Sequence, residues 1–251
     1  MRKKIVAGNW KMNKTFTEAT SLVVDLTDHQ ADFPAHVQVI IAPPALYLAS
    51  FQLMENLGFE LAAQNCCDKD SGAYTGEISA SMLKAMDIHH CIIGHSERRT
   101  YYGETNDVVK SKVDACLRNG VIPIFCCGES LAERENNSHF VTVLHQIEAA
   151  LWPLSPEQMA QVIIAYEPVW AIGTGVTATT AQAQEMHAFI RQSLSNHFGE
   201  PVAQSISILY GGSVNALNSK ELFDQPDVDG GLVGGASLKA KDFATIIGSA
   251  R

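Results

Sequence analysis

Along these 251 residues, a short apolar run gives way to a longer amphipathic one eight times over. No other feature restricts the fold as much. Strands separated by helices pair in parallel, since each helix carries the chain back to the start of the next strand. The crossovers are right-handed, and eight such units close a sheet on itself. The predicted strands are 5–7, extended by Gly8 to Asn13, then 37–42, 59–64, 90–93, 121–127, 162–165, 205–210 and 229–233. Thr17 is expected to cap a first helix running to about residue 30. Pro43-Pro44 starts a second helix, to about 57, and further helices are expected over 79–86, 105–119, 138–151, 180–197, 216–223 and 240–247. Gly120 stops the 105–119 helix. No linker-like stretch interrupts the series. The expectation is an α/β chain forming a single (β/α)8 barrel, one domain over 1–251.

In such a barrel the carboxyl ends of all strands face one mouth. The chemically unusual residues fall at those ends: Asn9, Lys11, His95, Glu167, Gly211-Gly212-Ser213 and Gly234-Gly235. The densest stretch is 162–176, VIIAYEPVWAIGTGV. Its β-branched run ends at Tyr166-Glu167-Pro168, where proline cannot continue the ladder, so Glu167 stands at a strand end. An apolar turn, Val169 to Ile172, leads to Gly173-Thr174-Gly175. An apolar loop with two glycines beside a carboxylate suits a lid that closes over a base. Alone, the stretch fits a plain loop with a cap-like glutamate equally well. Gly173, Gly175 and Ala178 also match a dinucleotide fingerprint, but 168–172 separate that match from the strand, which argues against it.

The rim residues together describe a reaction. Glu167 can take a proton from carbon. His95 opens a segment where helix N-terminal N–H groups disfavour an imidazolium, so a neutral ring can donate to a carbonyl oxygen and move protons between neighbouring oxygens. Lys11 supplies fixed positive charge and Asn9 a polar donor. The glycine-rich ends of strands seven and eight suit a phosphate dianion. The sum is proton abstraction beside the carbonyl of a small phosphorylated sugar. Each residue has a bland alternative singly: a structural histidine, a solvated lysine, glycines that mark turns. Glu97 is expected to be structural, pairing with Lys11, with Ser96 capping the following turn.

Charge and cysteine usage narrow the partners. The net charge of −9 argues against nucleic acid and anionic membrane. The start, MRKKIVAGNWKMN, has too short an apolar run for a signal peptide, and no run approaches a membrane span. The cysteines, Cys66, Cys67, Cys91, Cys116, Cys126 and Cys127, form no C-x-x-C and fall mostly in apolar runs, as reduced thiols of a cytoplasmic protein do. No metal and no cofactor are expected. Two glycosylation sequons, at Asn13 and Asn136, read as accidental in that setting.

Over its whole length the chain resembles the triosephosphate isomerase family. The matching segments are GNWKMN at 8–13, IIGHSERR at 92–99, CCGE at 126–129, AYEPVWAIGTG at 165–175, YGGSV at 210–214 and GGLVGGASL at 230–238. The resemblance implies a TIM barrel that interconverts dihydroxyacetone phosphate and D-glyceraldehyde 3-phosphate through an enediolate, in glycolysis and gluconeogenesis. It implies Glu167 as base, His95 as neutral electrophile, and Asn9 and Lys11 as substrate-holding residues. Backbone at Gly173, Ser213, Gly234 and Gly235 would hold phosphate. It further implies a homodimer, in which the loop containing Thr75, Gly76 and Glu77 inserts into the partner close to that subunit's Lys11 and His95. Where family members commonly carry lysine after the second lid glycine, this chain has Val176. Two rivals are weighed. A Schiff-base aldolase needs a barrel lysine, but none lies between Lys112 and Lys220, so strands five to seven cannot supply one. A non-catalytic phosphosugar binder would have no need of the Glu167–His95 pair.

Overall fold

The computed structural model describes residues 2–172 and 177–250. The lid glycines Gly173 and Gly175, and Val176, lie outside the described residues. Eight parallel strands close into one barrel in sequence order: β1 (Lys4–Asn9), β2 (Val37–Ala42), β3 (Glu60–Ala63), β4 (His90–Ile93), β5 (Ile122–Cys127), β6 (Ile163–Tyr166), β7 (Ile208–Tyr210) and β8 (Gly230–Val233). Pairing of β1 with β8, from Ile5 opposite Gly230 to Gly8 opposite Val233, seals the ring.

Each strand is apolar on both faces because both are covered. One set points inward and fills the barrel: Ile5, Ala7, Ile40, Ala62, Ile92, Ile124, Ala165 and Leu209 among others. The alternate residues, such as Val6, Ile41, Cys91, Phe125, Ile164 and Ile208, point outward and pack against the helices. Eight strands leave an interior just wide enough for side chains, so the barrel is a packed core with chemistry confined to its ends. Gly230 shows how tight the seam is. Its φ is +126°, and a Cβ there would lie 1.9 Å from the Ile5 carbonyl oxygen.

The structure corrects several expected element ends. Thr15, not Thr17, caps the first helix, Phe16–Asp28, because Glu18 stands three residues after it and completes a capping box. The second helix ends at Gln52 rather than about 57, and the chain then turns through Asn56 and Gly58, both at positive φ. Short helices at Leu131–Glu135, Pro156–Met159 and Glu200–Ala203 had not been expected. The first two start on capping boxes from Ser130 and Ser155.

Two buried histidines make stability pH-dependent. Burial drags His90 down to about 4 and His187 to about 3, so both are neutral in the folded protein at neutral pH. In the unfolded chain each takes a proton near 6.5. The folded state therefore holds its full stability above about pH 6.5 and loses it as pH falls towards those depressed values, by up to about 1.4 kcal/mol per pH unit per histidine. The expected result is a melting temperature that declines below pH 6.5 and declines less in His187→Asn. Calorimetry across that range checks it; equal slopes for the two proteins would remove His187 from the account.

Candidate active site

A cavity of about 490 Å³ opens at the carboxyl ends of the strands. Asn9, Lys11, His95, Glu167, Ser213, Gly234 and Gly235 all line it. Every expected rim residue among the described ones is thus brought to one place. Leu232, Leu238 and Ile172 add apolar wall.

Glu167 follows directly on β6 and is almost wholly buried. Its N–H donates to the Cys127 carbonyl at 2.7 Å, which continues the ladder one residue past the strand. Its carboxylate accepts from the Ser96 N–H at 2.9 Å, from the Ser96 hydroxyl at 3.3 Å, and faces His95 Nε2 at 3.0 Å. Burial opposes ionisation, yet His95, the Ser96 N–H and Lys11 outweigh it and hold this carboxyl below the usual carboxylate range. Glycines give it room. A Cβ at Gly128 would lie 1.7 Å from the Glu167 carbonyl oxygen, and one at Gly211 would lie 3.0 Å from its Cγ.

His95 is the N-cap of the helix Ser96–Tyr101, a role that had been expected of Ser96. Its Nδ1 accepts the Glu97 N–H at 3.2 Å. A nitrogen that accepts cannot also carry a proton, so the proton of the neutral ring is on Nε2, aimed at Glu167. Burial lowers the His95 pKa, but the facing Glu167 carboxylate lifts it by more, and in this arrangement it lies above its ordinary value. Ser96 is free of the capping role and instead holds the Glu167 carboxylate. Its place beside His95 in GHSE was the only sequence signal for that.

Lys11 sits in the left-handed region at φ +53°. Its Nζ pairs with Glu97 at 2.5 Å, as expected from the sequence. Its N–H donates to Asn9 Oδ1 at 3.0 Å, and its carbonyl accepts from Gln64 Nε2 at 2.9 Å. Because Asn9 Oδ1 is occupied, its amide N–H groups remain for the cavity. Gly234 packs beneath, with the Lys11 Cε 3.6 Å from where a Cβ would lie. Arg99, missed in the sequence, ties the ends of β4 and β5 together by donating to the carbonyls of Gly94 and Cys126.

A third carboxylate serves the apolar turn after β6. Glu129 Oε1 accepts from Tyr166 Oη at 3.0 Å and Trp170 Nε1 at 2.8 Å, and the Glu129 carbonyl accepts the Val169 N–H. Burial pushes its carboxyl above the usual range. The Val169–Ala171 turn is therefore anchored to β5 at its near side.

The family model described as triosephosphate isomerase matches residues 4–250. Relatives carrying that name include one from Porphyromonas gingivalis, 53% identical over 98% of this chain and 99% of the relative. One from Bacteroides fragilis is 52% identical over 98% of each. One from Chloroherpeton thalassium is 51% identical over the full length of both.

Proposed function

The chain belongs to the triosephosphate isomerase family, and on that premise we propose how its residues divide the work of interconverting dihydroxyacetone phosphate and D-glyceraldehyde 3-phosphate, a glycolytic step that also runs in gluconeogenesis. Substrate enters the mouth cavity with its carbonyl oxygen towards His95 Nε2, the Asn9 amide and the Lys11 ammonium. Its phosphate lies over Ser213, Gly234 and Gly235. Gly173 is assigned to the same phosphate and lies outside the described residues. Glu167 gives up Ser96 and His95, turns to the substrate and removes a proton from the carbon beside the carbonyl. The electron pair moves onto the oxygen as an enediolate, where the Nε2–H, the amide and the ammonium stabilise it. His95 passes one proton to this oxygen and takes one from the neighbouring hydroxyl. Glu167 then returns its proton to the adjacent carbon. Every bond broken is replaced within the substrate, so the reaction is a pure isomerisation. Glu97 supports the set by holding Lys11.

The observation that carries this assignment is the facing Glu167–His95 pair, 3.0 Å apart in a cavity that also holds Lys11. A coupled assay starting from D-glyceraldehyde 3-phosphate tests it; no turnover by the pure protein would sink it.

His95 acts as a neutral imidazole in this scheme. Once Glu167 has turned away, the largest cause of the raised pKa is gone; the Glu97 carboxylate remains, opposed by burial, Lys11 and the Glu97 N–H. With a phosphorylated substrate analogue bound, 15N-labelled His95 is expected to show a bare Nδ1 and a protonated Nε2 through neutral pH. Protonation of both nitrogens there would remove the electrophile assignment.

We propose further that residues 1–251 act as one domain, that the chain works as a homodimer, and that it is cytoplasmic. The single closed barrel supports the first reading. Six free, buried cysteines support the last, and no described helix is long and apolar enough to cross a membrane. For the dimer, a second cavity of about 450 Å³ adjoins the first, sharing Lys11 and His95 and reaching Gln64, Glu97 and Tyr102. Around it the single chain exposes apolar surface: Met12 at 96%, Leu46 at 77%, Tyr101 at 76% and Tyr102 at 69%. Apolar exposure on this scale suits a partner-covered face. Thr75, Gly76 and Glu77 are exposed in the single chain and form the projection that such a cavity would receive from a second copy.

A further inference from the structure

We propose that Cys66, Cys91 and Cys116 form a three-sulfur binding site for a trivalent metalloid of the arsenite class, behind the barrel wall and outside the reaction cavity, with Cys66 also bordering the second cavity. The three residues come from different elements: Cys66 from the loop after β3, Cys91 from β4 and Cys116 from the helix Asn106–Arg118. Their Sγ atoms lie within 4.8 Å of one another, and those of Cys66 and Cys116 are 3.5 Å apart. All three are at most 1% exposed. Sulfurs from three elements converging at that separation are placed as a single soft atom bound to all three would need them.

The surroundings select the occupant. Zinc at a structural site takes four ligands in a tetrahedron, and iron–sulfur clusters take four cysteines. Among the described residues this group offers only three donors. Water is a poor fourth ligand for three buried sulfurs that belong to the apolar core. A monovalent or divalent ion on three thiolates would also leave net negative charge in the core, which is costly without a free counter-charge. The nearest cation, Lys112, already pairs with Glu104 and donates to Asn65. Trivalent arsenic avoids this problem. Arsenous acid, As(OH)3, and three thiols give one As(SR)3 and three waters. Three As–O bonds break, three As–S bonds form, each thiol proton leaves with a hydroxyl, and arsenic stays trivalent. The product is neutral. Because the thiols are buried, entry waits on local opening beside Cys66, the one of the three that borders the second cavity, and binding is slow.

The experiment uses the reduced full chain, incubated with arsenite and freed of excess by gel filtration. Arsenic content by mass spectrometry and the arsenic K-edge spectrum are then read. One arsenic per chain with three sulfur neighbours is expected. Cys91→Ser and Cys116→Ser should each lower bound arsenic at least tenfold, while Cys67→Ser, whose sulfur faces Asp68 instead, should not. Isomerase activity and circular dichroism confirm that each variant is folded, and the sulfur count in the unaltered chain stands even where a variant fails. No bound arsenic, fewer than three sulfur neighbours, or full retention by folded Cys91→Ser would overturn the proposal.

Discussion

Replacing Glu167 by glutamine lowers kcat by about 10³-fold or more while leaving the fold intact. General-base catalysis contributes typically 10²–10⁴-fold, and no other ionisable side chain in the cavity is free to substitute. His95 has its Nδ1 committed to the Glu97 N–H, and the Lys11 Nζ is engaged by Glu97. Glutamine keeps the size and an acceptor oxygen for the Ser96 N–H, while its NH2 replaces the oxygen that faces His95. It also gives up the charge that His95, the Ser96 N–H and Lys11 stabilise, so a lower melting temperature in a still folded protein is expected. Steady-state kinetics in both directions, with a thermal melt on the same sample, decide the matter. A folded variant with more than a tenth of the original kcat would mean that another group takes the proton.

The second large effect concerns assembly. Thr75→Arg places a long charged side chain on the loop proposed to enter the partner's cavity, where Arg98 and Lys11 already line the wall. Like charges at a desolvated contact weaken association strongly. The resulting monomer is expected to lose about 100-fold in kcat, because Lys11 and His95 border both cavities and displacement of catalytic groups by about 1 Å costs on that order. Sedimentation shows the state of assembly, and the coupled assay shows the rate. A monomer of full activity would separate the interface from the chemistry.

The barrel was legible because its strands are apolar on both faces and each is followed by a helix, a pattern few other folds need. The site was legible because reactive residues recur at one end of those strands. What escaped depends on finer competition or on distance. Thr15 and Thr17 both can cap, and only the spacing to Glu18 separates them. Ser96 reads as a capping residue, but the neighbouring histidine takes that role and releases it to hold the Glu167 carboxylate. The close approach of Gly128 to Glu167 joins residues far apart in sequence. No local rule reports it. The second cavity forms only when the segments after β1, β2, β3 and β4 are brought side by side.

Lys11 shows that this chain is tuned to two demands that disagree. A residue with a Cβ held at φ +53° carries strain on the order of 1 kcal/mol that glycine would not. Asn9, Gln64 and Glu97 hold it there, each with a hydrogen bond, and the lysine delivers its charge to the mouth of the barrel. Selection for thermal endurance alone would drift this position towards glycine, and selection for turnover would keep restoring lysine. A laboratory population evolved for heat resistance without an activity requirement should therefore abandon Lys11 early, and its loss would mark when function had ceased to be under selection.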